Sequence, residues 1–142
     1  MDAVESVVQV QLVPFGASAA RVETVWSPRA GMWFVEVEPA APGAATVSIG
    51  VEGDELVVSL PHTHWEIWRS KSGPSVLAAL ASDLEAIFAG RIEGAGVGSD
   101  RFVHLLSSDG KVRSVGSVHL PVPWRWRRRS TYHPYGAAVN LP

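Results

Sequence analysis

The sequence predicts an α+β fold: an antiparallel β-sheet of about 6–9 strands with one amphipathic helix, about residues 74–89, packed on one face. Three observations support this. Several short stretches alternate apolar and polar residues with period two, a single stretch has helical period, and turns rich in Gly and Pro separate the runs. The chain has 142 residues, a length that fits one domain spanning 1–142.

From Val4 to Val13 the alternation predicts a strand, with Val4, Val8, Val10 and Leu12 on one face. Pro14-Phe15-Gly16 ends it. Arg21–Trp26 and Met32–Glu38 read as strands around the turn Ser27–Gly31. Pro39–Gly43 is a loop, and 45–52 alternates again. Glu52-Gly53-Asp54-Glu55 is a hairpin connector to Leu56–Leu60. His62–Arg69 is a further strand.

The helix runs from Pro74 to Ala89. Leu77, Leu80, Leu84, Ile87 and Phe88 form its apolar stripe, while Asp83 and Glu85 are placed on the outer face. Pro74 suits the first helical position, and Gly90 suits the left-handed residue just past the end. Arg91–Val97 is a weak strand. Phe102–Leu106 and Lys111–Val115 flank Ser107-Ser108-Asp109-Gly110, a hairpin signal. From about residue 121 the chain reads as an irregular basic aromatic segment.

Charge is unevenly spread. Residues 1–70 hold nine acids and three bases, whereas residues 71–142 hold five acids and nine bases. The imbalance fits a polar partner, a self-complementary dimer, or two halves that neutralise each other within one fold. There is no cysteine, which excludes a disulfide scaffold, a thiolate metal site and a cysteine nucleophile. The N-terminus, Met1-Asp2-Ala3-Val4-Glu5, is acidic where a secretory signal would be basic, and no apolar stretch approaches the ~20 residues of a membrane span. These features predict a cytoplasmic protein with no membrane contact. Lys71 and Lys111 are the only lysines, and Arg, Ala, Gly, Val and Pro abound, as in coding from a GC-rich bacterial genome.

Chemical motifs are few. His62-x-His64-x-Glu66 places two imidazoles and a carboxylate at alternate strand positions, the donor set of a Zn²⁺ or Fe²⁺ site. It resembles the first half of the cupin metal motif. In cupins, however, the Glu stands further along, and the partner half is closer than Gly116–His119. The expectation is no metal and no cofactor. Gly94-Ala95-Gly96-Val97-Gly98 lacks the residues that follow in a phosphate-binding loop and reads as a flexible loop. Glu36 and Glu38 read as a solvated edge. No Gly-x-Ser-x-Gly elbow is present. Trp26, Trp33, Trp65 and Trp68 are expected to thicken the core or line a groove.

The most unusual stretch interleaves indoles, phenols and guanidiniums. Trp124, Arg125, Trp126, Arg127, Arg128, Arg129 and Tyr132 are its candidate partner-binding residues, suited to polar surfaces and to stacking. The segment is expected to be ordered and docked on the same domain or on a second copy, because its aromatics favour burial. The overall acidic balance argues against nucleic acid. The function expected from the sequence is that of a non-enzymatic binding protein whose partner is another protein or a second copy. An immunity-type protein using its acidic, Trp-bearing first half is the concrete form. The alternative is a small enzyme with its site in a groove between sheet and helix.

Overall fold

Alternating residues in the middle of the chain build a ladder. β2 (Met32–Pro39), β3 (Val47–Glu52) and β4 (Glu55–Leu60) are antiparallel neighbours, and their register aligns Val35, Ile49 and Val58 in one transverse row. Val37 and Val47 pair in the next row. All five side chains are completely enclosed, because directly opposed residues share a face of the pleat. β1 (Ala20–Ser27) adds to β2, and β5 (Trp65–Arg69) adds to β4, giving a five-stranded meander. The computed structural model describes residues 2–53, 55–60, 65–69, 74–97, 100–106, 112–117 and 128–136.

Two helices, α1 (Asp2–Leu12) and α2 (Pro74–Phe88), pack side by side. Val4, Val8 and Leu12 of α1 and Leu80, Leu84, Ile87 and Phe88 of α2 join the sheet residues in one buried cluster. α1 corrects the strand expected over Val4–Val13. Val4, Val8 and Leu12 are four apart, so they satisfy a period of two and a period of 3.6 alike. Val10 separates the two readings: it is 63% exposed, while Val7 packs against the core. Valines resist helix only weakly, and tertiary burial overrides that preference. Asp2 and Glu5 in the first turn suit the positive end of the helix dipole.

Asp83 is a second correction. It is buried, not outward-facing. Its position follows Leu80 by three and precedes Ile87 by four, which places it within the apolar stripe of α2. The end of α2 matches the reading from sequence. Gly90 has φ +71°, its N–H donates to Ile87 O at 3.0 Å, and Arg91 N–H donates to Ala86 O at 2.8 Å. This is the paired capping pattern that satisfies the last carbonyls.

After α2 the strands pair among themselves. β6 (Ile92–Val97), β7 (Asp100–Leu106), β8 (Val112–Ser117) and β9 (Arg128–Thr131) form a four-stranded antiparallel sheet in the order β8-β7-β6-β9. Ile92 and Leu105 are paired, buried and part of the common core. The described residues therefore hold two sheets and two helices, where one of each was expected. Gly94-Ala95-Gly96-Val97 lies within β6, not in a loop. β9 overturns the expectation of irregular chain throughout the tail, since Arg128–Thr131 pairs with Glu93–Gly96. That pairing joins residues more than thirty positions apart, and local pattern carries no trace of it. Asp54 and the Ser107–Gly110 turn lie outside the described residues. Among the described residues, no helix is long and apolar enough to cross a membrane.

Val8→Asp places a charge in the core and should cost more than about 3 kcal/mol, whereas Val10→Asp should stay within about 0.5 kcal/mol. Urea unfolding followed by circular dichroism measures both. Equal losses would contradict the helix, since a strand carries the two valines on one face. Leu84→Ala should cost about 2–5 kcal/mol, because the side chain is fully enclosed.

Candidate functional site

The residues proposed from sequence for the tail divide into three groups. Trp124, Arg125, Trp126 and Arg127 lie outside the described residues. Arg128 and Arg129 stand in β9, opposite Gly96 and Ala95. Tyr132 is half-buried and packs against the core. The residue that docks this part of the tail most completely is Tyr135, which was not among the candidates and is only 1% exposed.

Backbone and ring both hold Tyr135 in place. Its N–H donates to Phe88 O at 2.8 Å, and its hydroxyl donates to Ala45 O. Its ring meets Phe88 at 4.4 Å between centroids and the edge of Phe15 at 6.5 Å. Just before it, His133 N–H donates to Gly43 O at 2.9 Å, within a parallel bridge between His133 and Ala44. Gly90 makes room for the strap: a Cβ there would stand 2.7 Å from Pro134 N. The same glycine thus serves the end of α2 and the close passage of the tail. Burial pushes the Tyr135 phenol well above the ordinary tyrosine range, since an ionised phenolate would be desolvated. These contacts make residues 131–136 structural.

The exposed feature of this surface lies at the opposite end of the chain. Ser27 O accepts from Gly31 N–H at 2.8 Å and closes the β1–β2 turn. The register then sets Trp26 opposite Trp33. Their rings meet edge to face at 5.4 Å, and each residue remains 47% exposed. The expectation that these two indoles thicken the core is thereby corrected. They belong to the same pleat face as Thr24 and Val35, but one row further toward the turn. The same row continues through Val51 to buried Leu56. On this face Glu5 accepts from the Thr24 hydroxyl, whereas Glu52 and Glu55, each one residue beyond the row of Val51 and Leu56, fall on the opposite face of the pleat. The pair was legible in principle, because Trp26 and Trp33 are equidistant from the Pro28–Gly31 turn. Trp65 and Trp68 stand in β5, opposite Leu60 and Val57.

The opposite face of β1 and β2 carries Arg21, Glu23, Glu36 and Glu38. Arg21 reaches Glu38 at 3.2 Å and Glu23 at 3.5 Å. Glu36 accepts from the Ser48 hydroxyl at 2.7 Å and lies directly opposite Glu23. His62 and His64 lie outside the described residues, and Glu66 stands in β5. Among the described residues, no group of three His, Asp or Glu is arranged to hold a metal. The chain matches no family model, no curated protein and no solved structure.

Tyr135→Phe removes the donor to Ala45 O and should cost about 1–3 kcal/mol, because the carbonyl is left unpaired in the core. The folded state holds the phenolic proton above the unfolded value of about 10, so the unfolded chain binds fewer protons there. The stability contributed is full below that pH and falls as pH rises past it. Urea midpoints measured from about pH 9 to about pH 11.5 should fall in the wild type and flatten in Tyr135→Phe. The same slope in both would show that other groups govern the alkaline limb.

Proposed function

We propose that the protein is a non-enzymatic binding protein that docks another protein through the Trp26–Trp33 end of its first sheet. The partner presents an apolar patch with a cationic side chain beside it. The observation that carries this reading is the indole pair itself. Large aromatics are enriched where interfaces concentrate their binding energy. Here two of them are locked against each other on a regular hairpin and half open to solvent. A locked pair loses little side-chain entropy on binding, so its burial translates into affinity. The Glu5 carboxylate, held beside Thr24 on the same face, complements a cationic side chain, and an arginine can stack on an exposed indole. An immunity-type protein, which occupies the surface of a toxin, is the concrete form of this reading.

The double variant Trp26→Ser/Trp33→Ser separates a docking role from a structural one. Its folding stability should drop by less than about 2 kcal/mol, because the indoles are half exposed, whereas fully buried tryptophans cost about 3–5 kcal/mol. A photo-crosslinking amino acid at position 33 should capture a discrete protein partner in cells. The same probe at Val10, also exposed, should not. Indistinguishable capture from the two positions, or a stability loss in the buried range, would defeat the proposal.

A further inference from the structure

The free edge of β1 is the second feature of this hairpin. β1 has β2 on one side and, among the described residues, no strand on the other. Two bonds fix which of its backbone groups face outward. Ala40 N–H donates to Ala19 O at 2.8 Å and Gly31 N–H donates to Ser27 O at 2.8 Å. Odd-numbered residues of β1 therefore turn their N–H and C=O toward β2. In an antiparallel ladder the alternate residues turn theirs away. Ala20, Val22, Thr24 and Trp26 consequently present an unbroken row of donors and acceptors at the edge. β1 has no proline, no lysine and no break in register over eight residues, and its two charges, Arg21 and Glu23, are of opposite sign, so neither a missing donor nor a single-sign charge blocks strand addition.

The side chains of the edge are self-complementary in one register. We infer that β1 pairs antiparallel with β1 of a second copy about a two-fold axis at Val22, joining the two sheets into one. In that register Val22 bonds with its own copy, and Ala20 bonds with Thr24 of the other chain. Arg21 then lies opposite Glu23 of the other chain, and Glu23 opposite Arg21. Both are exposed, at 68% and 54% for the side chains. They fall at non-hydrogen-bonded positions, where facing side chains approach most closely. The charge balance favours this register. Glu23, Glu36 and Glu38 crowd one face with only Arg21 among them, and Glu23 faces Glu36 directly. A second copy brings another guanidinium to the position beside Glu23. Moving the axis to Glu23 would instead oppose two carboxylates, which is unfavourable. This inference stands apart from the docking role of the indoles, which lie near the end of the paired segment.

Analytical ultracentrifugation of the full chain tests it. The wild type should sediment as a concentration-dependent dimer, and its dissociation constant should weaken at high salt. Arg21→Glu alone or Glu23→Arg alone should weaken the dimer by about tenfold or more, since each opposes like charges twice. The double exchange Arg21→Glu/Glu23→Arg should restore it. Val22→Pro should give a folded monomer, because proline at an outward-facing edge position removes no bond within the sheet; circular dichroism confirms folding. Trp26→Ser/Trp33→Ser should remain dimeric, so a failure of this inference is distinguishable from a failure of the docking proposal. A wild type that stays monomeric at high concentration, or a double exchange that does not restore association, would overturn the inference.

Discussion

The covering of one apolar sheet face by two helices is the constraint on which the rest of this structure depends. Val35, Val37, Val47, Ile49 and Val58 form a contiguous patch on that face, and leaving it in water would forgo roughly 25 cal/mol for every Å² exposed. α1 and α2 enclose it, but the cover is uneven across the sheet. The row containing Val35 is buried, while the next row toward the turns passes from exposed Trp26 and Trp33 on β1 and β2 to buried Leu56 on β4. The exposed indoles are thus a continuation of the core pattern beyond the reach of its cover.

The second sheet and the tail depend on the same enclosure. The second sheet reaches the cluster through Ile92 and Leu105, and the tail reaches it through Tyr135. Tyr135 is bonded to the end of α2 through Phe88 and to the entry of β3 through Ala45. It links two segments that are distant in sequence, and its N–H and its hydroxyl each meet a backbone carbonyl. A ring this large therefore brings its apolar area into the core with its hydroxyl paired, which is the condition for its burial to stabilise.

How much of this was legible in the sequence follows from what each element depends on. β2, β3, β4 and the Gly53 connector were readable because alternation and turn chemistry act over a few residues. α2 was readable because its stripe and its terminal Gly90 agree. α1 was misread because Val4, Val8 and Leu12 fit two periods, and only the exposure of Val10 separates them. β9 and Tyr135 were not legible in place, since their partners lie roughly thirty to ninety residues earlier. The role of Trp26 and Trp33 was half legible. The hairpin register implies their contact, but their exposure depends on where the helices stop.

β1 shows how these facts bear on function. Its residues are exposed or half-buried throughout, so it adds little to the buried cluster. An edge strand kept only for stability would be expected to be short, broken or guarded by charge and proline. This one is long and regular, with an indole near its turn and a complementary charge pair two residues apart. The two features act through different parts of the strand. Pairing at the edge uses backbone groups in the plane of the sheet, whereas docking at the indoles uses side chains that stand on one face. One hairpin can therefore carry both contacts at once. Pairing two copies would present two indole surfaces on one joined sheet, and a partner with two matching sites would then bind the pair more tightly than either copy alone.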